Sequence, residues 1–150
     1  MSAADPTAAL AYYLIDALGA ATTGTIKEGL RVFAPELPDS EEQYMPAACV
    51  VVLPDPSGGS DKLFGRTNLP VRDSRLAIYC YGSTRLESQN LSREVEAALF
   101  TFKVSVWNNV KLYWARHEGG AWGDEAKIDP NTLWPVAIVF CQVLHDREPR

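Results

Sequence analysis

The chain has five strand-like segments and only two helix-like segments, and this ratio constrains its fold more than any other feature of the sequence. A doubly wound parallel sheet needs a helix at each crossover, so two helices are too few. We therefore predict an α+β fold in which two helices pack on one face of a mixed, mostly antiparallel sheet of about five strands. The predicted element order is α-β-β-β-α-β-β.

Both helical segments are recognised by apolar residues at helical spacing. Asp5 and Pro6 favour a helix start, because aspartate caps free N–H groups and proline suits the first helical position. The first helix is predicted to close at Gly19. Thr84 and Glu87 have the spacing of a capping box before the second helix, which is predicted to end near Lys103. The apolar positions are Leu10, Tyr13, Leu14, Ala17 and Leu18 in the first helix and Leu91, Val95, Ala98, Leu99 and Phe102 in the second.

The five strand candidates are short apolar or alternating segments that lie between turn residues. They cover Leu30–Phe33, Cys49–Leu53, Arg75–Tyr81, Val110–Ala115 and Val136–Leu144. The second segment has no polar alternation, which is typical of a strand covered on both faces. In the fourth, Val110, Leu112 and Trp114 alternate with the intervening residues, which is typical of a half-exposed strand.

Length and composition favour one globular domain. The 150 residues match a single domain spanning 1–150, with long loops at about 54–66 and 119–133. Fourteen basic and 19 acidic residues give a net charge of −5, which disfavours a nucleic-acid groove, because such grooves depend on Lys and Arg. We expect neither a membrane span nor an export signal, because no apolar run approaches ~18 residues and no basic segment precedes one.

The sequence contains few residues in a catalytic or metal-binding pattern. Cys49, Cys80 and Cys141 are far apart inside apolar stretches, so we predict buried thiols. No phosphate-binding glycine motif and no G-x-S-x-G nucleophile motif occurs. We therefore expect no enzymatic activity, no cofactor and no metal.

The two histidines leave two interpretations open. His117 and His145 each follow a strand, where an exposed side chain is the ordinary outcome. Alternatively, both could join Glu118 and Asp146 in a zinc site or in a small-molecule or enzymatic site, although zinc ligands are usually closer together on one element.

Five apolar residues are candidates for a subunit or partner interface. Tyr12 and Ile15 lie on the first helix away from its main apolar stripe, where they either broaden the core face or form a subunit contact. Leu63 and Phe64 lie in the first long loop and either fold back on the domain or dock on a partner. Trp122 lies in the second long loop and is a further candidate.

One segment and the order of elements resemble a known family. The segment Arg75–Glu87 reads RLAIYCYGSTRLE and continues into a helix through Leu91, Val95 and Leu99. It resembles the strand-Tyr-Gly-helix block of tailed-phage tail terminator and tail completion proteins, the tail-to-head joining family. The glycines near Gly58 and the Trp134–Pro135 pair before the last strand agree with this resemblance, which covers nearly the whole chain.

The resemblance implies a virion structural protein at the junction of tail and neck, assembled in the host cytoplasm. Such a protein forms a homo-hexameric ring that caps the tail tube, stops its polymerisation and joins the tail to the head-tail connector protein. Its partners would be its own copies, the tail tube protein and the connector. DNA would pass through the lumen without specific binding, which an acidic chain favours because carboxylates repel phosphate. Another neck or head-completion connector protein is the neighbouring alternative.

Overall fold

Two helices and seven strands form the described part of the chain, which in this computed structural model covers residues 5–21, 31–33, 49–54, 71–118, 127–128 and 134–146. The helices are α1 (Pro6–Ala21) and α2 (Arg85–Phe100). The strands are β1 (Arg31–Phe33), β2 (Cys49–Pro54), β3 (Val71–Tyr81), β4 (Ser105–Trp107), β5 (Val110–Glu118), β6 (Lys127–Ile128) and β7 (Pro135–Asp146).

All seven strands belong to one sheet with the order β1-β2-β3-β7-β5-β4, and β6 pairs with β7. The β1–β2 pair is parallel and every other pair is antiparallel. The centre of the sheet is the β3–β7 ladder, which runs from the pair Val71 and Asp146 to the pair Tyr81 and Val136. This architecture confirms the predicted α+β class and the mixed, mostly antiparallel sheet. The short strands β4 and β6 were not predicted, and β6 lies inside the segment 119–133 that was expected to be a loop.

The main core lies between one face of the sheet and both helices. The predicted apolar stripes of α1 and α2 point into it, with Leu10 and Leu14 from α1 and Leu91 and Val95 from α2 fully buried. Burial of one such side chain contributes about 1.5–3 kcal/mol relative to its exposure. The helices therefore pack on one face of the sheet, as predicted.

The start of α1 follows the prediction, whereas its end does not. The Asp5 carboxylate accepts hydrogen bonds from the backbone N–H groups of Thr7 (3.1 Å) and Ala8 (3.3 Å). These contacts satisfy two of the free donors of the first turn. The helix continues beyond Gly19 to Ala21, so the predicted end at Gly19 is wrong. A glycine inside a helix costs only about 1 kcal/mol relative to alanine, and the surrounding helix tolerates it.

The capping-box prediction for α2 is confirmed in modified form. The Thr84 hydroxyl accepts the Glu87 backbone N–H at 3.1 Å, as in a capping box. The Glu87 carboxylate instead accepts the backbone N–H and the hydroxyl of Ser83, one residue before the cap, at 3.0 and 3.1 Å. The helix ends at Phe100, three residues before the predicted end at Lys103.

A β-bulge breaks the predicted alternation of β5. Leu112 pairs with His145 and Trp114 pairs with Leu144, so Tyr113 is an extra residue on β5. An extra residue moves the following side chains to the other face of the sheet. Ala115 therefore enters the main core, while Trp114 is half-buried outside it and does not continue the face of Val110 and Leu112, contrary to the predicted alternation.

The prediction that β2 is covered on both faces is confirmed. Val50 and Val52 belong to the main core beneath the helices. Cys49 and Val51 belong to a second apolar cluster on the opposite face, which also contains Tyr81. This explains why the strand sequence contains no polar alternation.

Candidate assembly surface

Tyr12 and Ile15 are both exposed on α1. Their exposed fractions are 53% and 51%, whereas Tyr13 and Leu14 between them are buried. The alternative in which Tyr12 and Ile15 broaden the core face is therefore wrong. The two residues are three positions apart, so they lie on the same side of the helix. Their exposed apolar surface is available for contact with another protein.

A second exposed apolar region extends from the end of α2 into β4. Phe100 is 80% exposed, and Val104 and Val106 are more than half exposed. Phe102 lies between them in the sequence and packs against the main core. The segment is therefore anchored by one aromatic side chain while its neighbours remain in solvent. Exposed apolar residues that cluster in this way often mark contacts with other proteins.

Sequence reasoning missed this second region for two reasons. Phe100 lies outside the predicted apolar stripe of the helix that it ends. Val106 lies in strand β4, which was not predicted, and Val104 directly precedes that strand. One signal was available, because Asn108 and Asn109 are residues that tolerate positive φ, and they have φ values of 51° and 63°. Two such residues before an alternating strand are typical of a hairpin, which would have placed β4 before them.

Two cavities lie beside β5 near this region. One, of about 210 Å³, is lined by Leu99, Phe100, Phe102, Ala115, Arg116 and His117. The other, of about 300 Å³, is lined by Trp114, Ala115 and Arg116. Ala115 and Arg116 line both cavities. The Arg116 guanidinium stacks over the Trp114 ring with 4.6 Å between the guanidinium carbon and the ring centroid.

The strand-turn-helix segment that carries the family resemblance is closely packed at Gly82. A Cβ atom added at Gly82 would lie 2.8 Å from the backbone nitrogen of Ser88 and 3.0 Å from the Glu87 Cβ. The Gly82 backbone N–H and the Ser88 hydroxyl both donate to the carbonyl of Pro135, at 3.3 and 2.9 Å. Glycine at this position thus lets the first turn of α2 approach the start of β7.

The two histidines do not come together. His117 pairs with Cys141 and His145 pairs with Leu112, so they lie at different positions along the β5–β7 ladder. His145 is only 1% exposed, which contradicts its interpretation as an exposed strand-end side chain. Its Nε2 atom is 2.8 Å from the Ser74 hydroxyl. Within the described residues, no group of three or more metal-binding side chains is present.

The His117 side chain is also largely buried, at 20% exposure, and its Nε2 atom lies 3.6 Å from the Glu96 carboxylate of α2. Glu118, which follows it on β5, instead lies 3.6 Å from the Arg75 guanidinium on β3. Asp146 accepts the Tyr113 hydroxyl at 2.7 Å. Each of these four residues therefore has a side-chain contact with a different residue, and His145 Nδ1 also lies 2.7 Å from the backbone oxygen of Asp146.

Two polar side chains, Asp73 and Gln142, contact each other across neighbouring strands near Arg75. The Gln142 amide of β7 donates a hydrogen bond to the Asp73 carboxylate of β3. Burial raises the pKa of Asp73 above its ordinary value, and the Glu118 carboxylate raises this pKa further. The Gln142 hydrogen bond and the charge of Arg116 lower this pKa to a smaller extent.

All three cysteines are buried free thiols, as predicted. Burial raises the pKa of Cys80 and Cys141 well above the ordinary thiol value. The thiolate is the nucleophilic form, so a raised pKa makes these cysteines unreactive in the folded protein.

Three of the five candidate interface residues, Leu63, Phe64 and Trp122, lie outside the described residues, as do most of the loops at 54–66 and 119–133. Within the described part of the chain, no helix is both long and apolar enough to span a membrane.

Comparison of the chain with protein-family models gave no match. Comparison with curated proteins gave no match either.

Proposed function

We propose that this chain is a virion structural protein, a tail terminator whose copies form a homo-hexameric ring that caps the tail tube and joins it to the head-tail connector. The observation that carries the proposal is the presence of exposed apolar side chains on two different elements. Tyr12 and Ile15 provide the first on α1, and Phe100, Val104 and Val106 provide the second.

Ring formation explains why two regions are needed. In a head-to-tail ring, one surface of each copy meets a different surface of the next copy. A two-fold dimer would need only one surface that is complementary to itself. The exposed apolar side chains on α1 and on the segment from α2 to β4 would supply the two surfaces that such a ring uses.

Two further observations support assembly at the tail-neck junction. The strand-Tyr-Gly-helix segment that resembles the tail terminator family forms a strand, a close turn at Gly82 and helix α2. The net charge of −5 suits a ring through which DNA must pass, because carboxylates facing a lumen repel phosphate.

The test is the oligomeric state measured by multi-angle light scattering and mass photometry over a wide concentration range, with and without purified tail tube protein. We expect a hexamer-sized species, either alone or bound to the tube. A protein that stays monomeric at high concentration and does not bind tubes would overturn the proposal.

A double variant tests whether α1 takes part in this assembly. We expect the double variant Tyr12→Ser/Ile15→Ser to lose the hexamer while keeping its circular dichroism spectrum, because both side chains lie outside the core. Asn90→Ala is the control, since Asn90 is exposed on the polar side of α2. Equal assembly by the double variant and the wild type would remove α1 from the interface.

A ring that binds the tail tube and blocks its further growth would identify a terminator. A ring that binds only the connector would instead identify another neck protein, the neighbouring alternative. The polymerisation of tail tube protein, followed by light scattering with and without the ring, distinguishes the two.

A further inference from the structure

Among the described strands, only β4 pairs with the outer edge of β5, and it covers only part of that edge. Strand β4 covers this edge over Val110–Leu112 and stops where the bulge begins. Over Trp114–Arg116, β5 pairs with β7 on one side, and no strand of the described residues pairs with the other side. An unpaired edge carries backbone N–H and C=O groups that can accept a further strand.

The two cavities lie along this same stretch. The cavity between β5 and the end of α2 is bordered by Leu99, Phe100 and Phe102, and the other is bordered by Trp114. When a strand adds to a sheet edge, its backbone pairs with the edge and alternate side chains enter pockets on either side. An edge that no described strand covers, beside a cavity that is lined in part by apolar side chains, has the layout that strand addition requires.

At the opposite end of the sheet, β1 has an edge that no other described strand pairs with. Strand β1 is the last strand in the order and pairs only with β2 among the described strands. Its sequence, Arg31-Val32-Phe33, contains two residues that favour strands and are apolar. One chain thus has two different sheet edges, as head-to-tail association requires.

We propose that the β5 edge at Trp114–Arg116 accepts the β1 edge of a second copy of this chain, so that the sheet continues from one copy to the next around the ring. This inference rests on the proposed ring and specifies which surfaces of neighbouring copies meet. Phe100, at the border of the cavity, would be covered by the incoming strand, which accounts for its 80% exposure in the single chain.

The first experiment compares two variants of α2. Phe100→Glu places a charge at the border of the cavity, whereas Leu86→Glu places the same charge at the other end of the helix, where the wild-type side chain is 69% exposed. We expect Phe100→Glu to remain monomeric at concentrations where the wild type and Leu86→Glu form oligomers. Assembly of Phe100→Glu at the wild-type concentration would contradict the proposal.

The second experiment uses thiol cross-linking between two kinds of copy. One carries Arg116→Cys, and the other carries Arg31→Cys or Phe33→Cys, which allows for two possible registers. A linker of ~8 Å reaches directly opposite and diagonal positions on neighbouring strands. The three native cysteines are buried, and wild-type protein serves as the control for their reaction.

We expect a covalent dimer in the mixture of Arg116→Cys with at least one partner variant, and not with any single variant alone. Hexamers that form without this cross-link would overturn the edge-to-edge arrangement and leave the ring intact. A cross-link within Arg116→Cys alone would show that the edge pairs with itself, which would also overturn the arrangement. Absence of both oligomers and cross-links, with and without tail tube protein, together with a failure to bind tubes, would overturn the proposed function together with this inference.

Discussion

The Tyr13 hydroxyl of α1 donates a hydrogen bond to the Ala98 carbonyl of α2, 85 residues further along the chain. The Tyr13 ring also packs edge-on against Phe102, with 4.8 Å between the ring centroids. Both contacts hold the end of α2 against α1, at the place where Phe100 borders the cavity beside β5. Tyr13 therefore helps to fix the position of the end of α2 relative to α1.

We expect Tyr13→Phe to lower the free energy of unfolding by about 1 kcal/mol, because a typical internal hydrogen bond contributes roughly that amount. The matched control is Tyr12→Phe, which removes the same hydroxyl from the exposed neighbouring residue. Urea unfolding followed by tryptophan fluorescence measures both. Equal effects in the two variants would show that the Tyr13 hydrogen bond does not stabilise the fold.

We expect Gly82→Ala to be destabilising by about 1–3 kcal/mol, the range for an added methyl group in a closely packed site. Its Cβ atom would lie 2.8 Å from the Ser88 backbone nitrogen, so the start of α2 would have to shift. The exposed substitution Asn90→Ala should change stability by less than about 0.5 kcal/mol. Thermal unfolding by calorimetry compares the two, and a Gly82→Ala variant as stable as wild type would contradict the close approach.

Local sequence patterns predicted the elements that depend on local chemistry. Helix α2 could be placed because Thr84 and Glu87 have capping-box spacing and Leu91 and Val95 have helical spacing. Buried β2 could be placed because its residues are apolar on both faces. The order of elements then restricted the fold to the α+β class.

The remaining features depend on contacts between distant residues. The extra residue at Tyr113 is visible only once β5 is paired with β7, so the position of Trp114 could not be predicted from alternation alone. The register of the same ladder separates His117 from His145. The exposure of Tyr12 depends on how α1 packs, because the sequence shows apolar residues on two sides of that helix.

The Asp73 carboxyl should give the protein a measurable pH dependence. Burial raises the pKa of Asp73 in the folded state above its ordinary value of 3.8, so the folded protein binds this proton more tightly than the unfolded chain does. The contribution of Asp73 therefore becomes more favourable to folding as the pH falls from neutral through the folded-state pKa, and it is complete below pH 3.8.

We expect Asp73→Asn to remove this contribution. The free energy of unfolding of the wild type, relative to that of the variant, should be larger at pH 4 than at pH 7. Urea unfolding at several pH values measures it. Glu94→Gln should behave similarly, because burial also raises the pKa of Glu94. A difference between Asp73→Asn and wild type that is constant with pH would contradict the assignment.

The turn between β4 and β5 depends on two asparagines in the left-handed region of φ. Asn108 has a φ of 51° and Asn109 has a φ of 63°, as in a two-residue hairpin turn. We expect Asn109→Gly to preserve or increase stability, because glycine adopts positive φ without steric cost. Asn109→Val should destabilise the protein by about 1–2 kcal/mol, because a branched Cβ is disfavoured there.

The same pair of variants tests whether β4 contributes to assembly. Strand β4 carries Val106, and its first residue, Ser105, pairs with Leu112, just before the stretch of β5 that no described strand covers. If β4 is held in place by the turn, Asn109→Val should raise the concentration needed for oligomers, and Asn109→Gly should not. Light scattering on both variants provides the measurement. Loss of stability in Asn109→Val without any change in assembly would show that β4 serves only the fold of the single chain.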